Sequence, residues 1–510
     1  MKRYILAHDL GTTGNKASLY DDEGKLIASS LSEYGTFFEH AGWAEQNPED
    51  WWQAICKSTR QLLEQSKTPK SDIACIVFSG QMMGCVPLSK AAKPLRNAII
   101  WADVRATNEA SWLGKRISAD EVYKISGHRL SASYSLAKIL WIREHQKDIY
   151  DATHKFVHAK DAMVARLTGN FVTDYSDASG MNLYALERNT WSEEILEASE
   201  LAANKLPDLK RSIDVVGEVL PGVAEEVGLA AGTPVVVGGG DGCCAATGAG
   251  VIKEGRAYNY LGSSSWIALA TQKPIFDPSQ RTFTWAHLIP GMFSPCGTMQ
   301  AAGASYAWAK QELAPLELGQ AQEQNISVYE LMNQKAQSSK IGASGLLYLP
   351  YLLGERSPRW NPKARGAFVG LDIRHTRADL FRAVLEGVTL NLKVIMDTMT
   401  AQGVTIDAMR VIGGGAKGKL WNQLMADIYG VPVECLAILE EATSMGAAIA
   451  GGVGVGLYQD FSIAETMNPV SSSAQVDPTA HKKYQELLPI FNKAYEALVP
   501  IYEDLADWNL

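Results

Sequence analysis

His8-Asp9-Leu10-Gly11-Thr12-Thr13, near the start of the chain, has a counterpart in Tyr260-Leu261-Gly262-Ser263-Ser264-Ser265 near its middle. Each stretch follows an apolar or aromatic run that reads as a strand, Tyr4-Ile5-Leu6-Ala7 and Ala257-Tyr258-Asn259-Tyr260. Each leads into a second such run, Lys16-Ala17-Ser18-Leu19-Tyr20 and Trp266-Ile267-Ala268-Leu269-Ala270. A strand, a glycine-hydroxyl turn and a returning strand make a hairpin whose tip presents N–H groups and hydroxyls, a cradle for phosphate oxygens. One such tip is a common way to close a hairpin. Two, at matching places in two halves, point to a duplicated α/β domain with a nucleotide's phosphates held between the copies.

The 510 residues exceed what one hydrophobic core organises, so two domains of roughly 250 residues are expected, 1–250 and 251–510. At 46% hydrophobic residues the composition is that of a globular protein. A net charge of −9 and a sequence pI near 5.6 argue against a nucleic-acid partner. Seven cysteines, an odd number without regular spacing, point to a reducing cytoplasm. Cys243-Cys244 lacks the C-x-x-C spacing and a histidine-rich neighbourhood, so it reads as small-residue packing. The apolar run after Met1-Lys2-Arg3 stops at His8-Asp9, too short for a signal peptide. Residues 445–457 are uncharged but glycine-rich and shorter than about 20 residues, so they read as a tightly packed helix and no membrane partner is expected.

Strands are expected over 4–8, 16–20 and 26–30, with Asp21-Asp22-Glu23-Gly24 turning the last pair. Asn47-Pro48-Glu49-Asp50 supplies a cap, an N1 proline and an acidic first turn, so a helix should start at Pro48 and run to about Gln65. A buried strand over 73–78 leads to the turn Ser79-Gly80-Gln81-Met82-Met83-Gly84, and 105–230 read as mostly helical. Residues 232–237 form an apolar strand ending in Gly238-Gly239-Gly240-Asp241-Gly242. After a linker at 251–256, expected to hinge the two halves, the second half repeats the plan. It has a helix from Ser305 and a strand over 409–412 that runs into Gly413-Gly414-Gly415-Ala416. Pro489 and Pro500 should break the C-terminal helix.

Asp241 is the sharpest single residue. A loop of glycines at a strand end lets a ligand approach closely and leaves one carboxylate projecting, and ligands of α/β sheets bind at such ends. A helix N-cap is the alternative role, and the two are compatible. Asp9 precedes the first tip, where a carboxylate would repel polyphosphate unless a divalent cation such as Mg²⁺ lay between them. An Asx-turn aspartate is the alternative there. The 413–416 turn does not match G-x-G-x-x-G, and the sequence contains no Walker A motif, G-x-S-x-G elbow or H-E-x-x-H.

These residues converge on a family. Asp9–Thr13, Ser79–Gly84, Ile100-Trp101-Ala102-Asp103-Val104-Arg105, Gly239-Gly240-Asp241, Leu261–Ser264, Tyr348-Leu349-Pro350-Tyr351 with Gly354-Glu355-Arg356, and Gly413–Ala416 stand in an order that resembles the FGGY carbohydrate kinases. The resemblance extends to Trp43-Ala44-Glu45-Gln46-Asn47-Pro48 and to Lys160-Asp161, and it is nearest to the xylulokinase branch. It implies two ribonuclease-H-like domains of the actin/hexokinase superfamily, with ATP and a small-molecule sugar in the cleft between them. It further implies Asp241 as the base that takes a proton from a sugar hydroxyl, with Asp9 and Asp241 beside Mg²⁺. Gly11, Thr12, Thr13 and Lys16 on one side, and Gly262 and Ser263 on the other, would enclose the phosphates. Gly303 would lie near the nucleotide, and Gly415, Ala416 and Lys419 would line the adenosine pocket. Gln81, Met82, Met83, Trp101 and Asp103 match substrate-side positions.

Three departures stand out. The xylulokinase pattern resembles Gln-Met-His-Gly, where this chain has Gln81-Met82-Met83-Gly84; Gly242 replaces a frequent amide, and Ser263 a threonine. D-xylulose is the leading substrate, other ketoses, polyols and aldonates remain open, and the assembly is left open with a homodimer as one option. A non-catalytic sugar or nucleotide sensor would have lost the base or a tip, and both are intact. A chaperone-like ATPase of this fold would need a peptide-binding domain for which no residues remain.

Overall fold

A computed structural model describes residues 2–508. In the first half, β1 (Tyr4–Leu10), β2 (Gly14–Asp21) and β3 (Leu26–Glu33) form the expected meander. Helix α1 (Pro48–Ser66) follows, with the Asn47 side chain accepting from the Glu49 N–H at its start. It buries Trp51 and Trp52 and is followed by β4 (Ile73–Gly80). Next come β5 (Val215–Glu218) and β6 (Pro234–Gly240), and the six strands lie in the order β5-β6-β4-β1-β2-β3. Strands β1, β4 and β6 run parallel and the others antiparallel. β4 is buried along its whole length, as a central parallel strand must be, whereas edge strand β3 largely alternates between half-buried and exposed residues.

The second half is built on β7 (Gly255–Leu261), β8 (Ser265–Leu269), β9 (Phe283–Ala286), β10 (Phe293–Met299), β11 (Ile406–Ile412), β12 (Val433–Leu436) and β13 (Val470–Ala474). Their order is β9-β10-β8-β7-β11-β12-β13. Read outward from β7, the pairings repeat those around β1: two antiparallel neighbours on one side, two parallel neighbours and an antiparallel edge on the other. The duplication inferred from the two tips is therefore a duplication of whole sheets, with β9 added. The two differ in how the far edge is reached, since β5 precedes β6 whereas β13 follows β12.

Two short helices exchange places between the halves. Helix α2 (Asp241–Gly248) leaves β6 but packs its alanines against Tyr258, Ala268, Phe283 and Ile412 of the second half. Helix α3 (Ala442–Gly454) follows β12 but packs Met445, Ala447 and Ile449 among Ile5, Ala7, Val77 and Val236 of the first. Glycine allows the two to touch backbone to backbone. A Cβ on Gly248 would stand 1.8 Å from the Ala442 carbonyl oxygen, and one on Gly446 would stand 1.9 Å from that of Cys244. The packing readings of Cys243-Cys244 and of 445–457 both belong to this crossing, and all seven cysteines are free and buried.

Two expectations change. Residues 105–230 are mostly helical, but short strands such as Val172–Asp174 and Asp208–Lys210 are interleaved. Pro489 and Pro500 do not break the last helix, which runs from Pro478 to Asp507. Both prolines are exposed, as are Gln485 and Glu496 four residues before them, so the carbonyls that lose an N–H face water. Tyr484, Phe491, Tyr495 and Tyr502 hold the opposite side of the helix in the core.

Candidate active site

The first tip closes with the Gly11 N–H donating to the Gly14 carbonyl at 3.0 Å. Side chains brace it from outside. Tyr34 Oη donates to the Gly11 carbonyl at 2.6 Å, Gln46 Nε2 to the Thr12 carbonyl at 2.6 Å, and Trp101 Nε1 to Thr12 Oγ1 at 2.9 Å. Gln46 Oε1 in turn accepts from Trp51 Nε1 at 3.0 Å and Gln81 Nε2 at 2.7 Å. The tip, helix α1 and the turn after β4 thus form one polar assembly. The Gln81 Oε1 atom is buried and has no partner.

The second tip is held by backbone. The Gly303 N–H donates to the Gly262 carbonyl at 2.9 Å, and the Ala302 and Ala304 N–H groups donate to the Ser263 carbonyl at 2.9 and 3.0 Å. A Cβ on Gly303 would stand 2.4 Å from the Gly262 oxygen, so only glycine fits there. Gly413 has φ +88°, and a Cβ on Gly415 would stand 2.5 Å from the Leu261 side chain. Gly262, Ser263, Gly303, Gly415 and Ala416 are therefore gathered as the sequence led us to expect. Lys419 opens the Lys419–Tyr429 helix and is exposed.

Asp9 lies on β1 opposite Ser79 of β4, which lies opposite Gly239 of β6. That register brings Asp9 and Asp241 to the C-terminal ends of these parallel strands. Burial, reinforced by the Asp9 charge, pushes the Asp241 carboxyl up to about 7. Burial lifts Asp9 to about 6 against the Ser79 hydroxyl and the Lys16 ammonium, and its Oδ1 is buried without a partner. Asp241 does not cap α2. Gly240 occupies the cap position with extended backbone, and Asp241 Oδ1 accepts from the Gly242 N–H at 2.7 Å.

The remaining residues divide. Met82 packs its sulfur where a Cβ on Gly240 would lie, 2.5 Å away, under the Asp241 loop. Met83 adopts φ +61°, and its carbonyl accepts from Lys138 Nζ at 2.7 Å. Trp101 is 38% exposed beside the first tip. Asp103, expected to face the substrate, is instead fully buried. Its carboxylate is taken by Arg105, at 2.6 Å to Nη2, and by the Ala44 N–H at 2.6 Å. A carboxylate with a guanidinium two residues on is satisfied locally and has no need of the cleft. Lys16 reaches across to the second half, pairing with Glu441 at 3.1 Å and the Glu440 carbonyl at 3.1 Å. Sequence reasoning missed Lys138, fully buried and lowered to about 7 by that burial. Its signal is a lone lysine inside the apolar helix Ser135–His145.

Residues 4–248 match the FGGY family of carbohydrate kinases, N-terminal domain, and residues 257–455 the C-terminal domain of the same family. The xylulose kinase of Bacillus subtilis (strain 168) is 34% identical over 492 residues, covering 96% of each chain. The gluconokinase of the same organism is 30% identical, over 100% of this chain and 98% of that one. Among solved structures, ligand-bound xylulose kinase from Lactobacillus acidophilus superposes with a TM-score of 0.90 at 27% identity, covering 99% of this chain and 100% of that one. With both family domains matched in order on two sheets of one plan, the chain belongs to the FGGY family of carbohydrate kinases and is a sugar kinase.

Proposed function

We propose that this kinase transfers the γ-phosphoryl group of ATP to a hydroxyl of D-xylulose, giving D-xylulose 5-phosphate and ADP. The observation that carries the reading is the placement of Asp241 beside Asp9 at the strand ends, between two glycine tips. Asp241 accepts the hydroxyl proton as the oxygen attacks phosphorus; a carboxyl lifted to about 7 is a competent acceptor near neutrality. The unpartnered Gln81 Oε1 accepts from another sugar hydroxyl, and its amide end holds that orientation through Gln46. The backbone N–H groups of the two tips, with Thr12, Thr13 and Ser263, surround the phosphates, and the protein's part is chiefly positioning. The orphaned Asp9 Oδ1 beside a second carboxylate fits Mg²⁺, which when bound neutralises charge on the transferring phosphates. A cytoplasmic setting is supported by seven free cysteines, and among the described residues no helix is long and apolar enough to cross a membrane.

A second reading, an aldonate such as gluconate as the preferred substrate, is favoured by the full-length similarity to gluconokinase, and Met83 weighs against D-xylulose. A thioether cannot give a sugar hydroxyl the hydrogen bond that the family's histidine can. ADP release measured across ketoses, polyols and aldonates decides between the two. D-xylulose is expected to lead, and a lead by gluconate would replace the first reading with the second. On the best substrate Asp241→Asn should lose about 10²–10⁴-fold in kcat with nucleotide binding retained. Near-normal turnover by that variant would remove Asp241 from its role.

A further inference from the structure

Behind the site lies a cluster of charges that the reaction does not use. Lys160, fully buried, pairs with Asp161 at 2.6 Å, Asp174 at 3.0 Å and Asp177 at 3.4 Å. His158, Asp161 and Asp177 alone would make a plausible cation site, but the Lys160 ammonium already supplies the cation. The cluster extends in two directions. On one side Ser176 Oγ donates to Asp174 at 2.5 Å and accepts the Gly240 N–H at 3.0 Å, one residue before Asp241. On the other, Asp177 meets His158 Nδ1 at 2.5 Å, and His158 Nε2 lies 2.7 Å from Ser135 Oγ. Ser135 Oγ donates to the Gly84 carbonyl at 2.6 Å, closing the turn that carries Gln81, Met82 and Met83. Ser135 and Asp177 thus hold the two sides of the His158 ring.

The glycines of the two loops are shaped to this cluster. A Cβ on Gly80 would stand 3.0 Å from Lys160 Cβ, and one on Gly239 would stand 2.9 Å from Ser176 Oγ. Buried charges held this tightly fix geometry more than they add stability, because any member left alone is costly.

We propose that Ser176 and Ser135 are positioning residues, joined through Asp174, Lys160, Asp177 and His158, which set the Asp241 loop and the sugar-binding turn at a fixed distance from each other. The proposal rests on Asp241 being the base and the 81–84 turn holding the sugar. Each end should therefore show a different kinetic signature. Ser176→Ala frees the Gly240 N–H and is expected to lower kcat about 10-fold with the sugar KM unchanged, as lost support for an active group does. Ser135→Ala releases the Gly84 carbonyl and should raise the sugar KM with a smaller effect on kcat. The double variant should lose less than the product of the two, because both act through one chain. Ser176→Cys, which keeps the size and a weak donor, should recover part of kcat at the same melting temperature as the alanine variant.

Asp241→Asn is assayed alongside. If it is inactive while both serine variants keep wild-type kcat and KM, or merely melt earlier, the positioning role is overturned and the base assignment stands. If it is active, the base assignment itself has failed. If Ser176→Cys recovers nothing at equal stability, the hydroxyl link is overturned.

Discussion

The two hairpin tips have the same strands behind them and are held by opposite means. Side chains from the segment between β3 and α1, from the turn after β4 and from residue 101 farther on brace the first: Tyr34, Gln46, Trp101 and, through Gln46, Gln81. Glycines cleared of side chains press backbone against the second: Gly303, Gly413 and Gly415. Duplication set the scaffold, and the bracing diverged. Under the proposed function both tips surround the phosphates, and the first is tied to the sugar side as well, through Gln46 to Gln81.

Substitutions at the two tips should therefore fail differently. The largest effect is expected from Gly303→Val, whose side chain collides with the Gly262 carbonyl. It should lower kcat/KM for ATP by about 100-fold and leave the KM for sugar near wild type. Equal damage to both substrates would break the distinction. Gln46→Leu removes the hub of the first tip and should cost about 10-fold in kcat/KM, with the larger change in the sugar KM, read in the same assay.

A pH effect comes next in size. The Asp241 carboxyl is held at about 7 when folded but titrates near the ordinary carboxylate value when unfolded, about 4. Between those values the folded protein binds a proton that the unfolded chain has released. The associated stability is thus complete at low pH and is lost as pH rises through 7. The melting temperature of ligand-free protein should fall between about pH 4 and about pH 7, and Asp241→Asn should flatten that slope. Similar slopes in the two proteins would show that the carboxylate pair is not strained. The smallest effect is expected from Gly242→Gln. A Cβ there meets nothing within 4 Å, so the variant should fold normally and shift the sugar KM only a few-fold.

What could be read in the sequence was whatever local chemistry determines. The tips, the glycine-flanked Asp241, the proline-started helix α1 and the central strands follow from turn residues, caps and apolar runs. Three features escaped for a shared reason. The partner of a buried group is chosen by tertiary structure. Lys160, Asp174 and Asp177 have the composition of a surface, and only the fold brings them together at full burial. Asp103 carried a family position but is consumed by its neighbour Arg105. The glycines of 442–454 announce close packing without saying that it is against the other half.

That last arrangement bears on how the gene can be cut, shuffled or mutated. The first sheet is finished by a helix encoded more than four hundred positions after its opening strand. A fragment ending after Gly248 would expose Ile5, Val77 and Val236, and the complementary fragment would carry α3 with nothing to cover it. The pieces should be insoluble when made alone and recoverable when co-expressed. The contact also ties Gly248 to Ala442 and Gly446 to Cys244, so drift at one site is constrained by the other despite their distance along the chain. Chimeras between related kinases should retain function when both exchanged helices come from one parent.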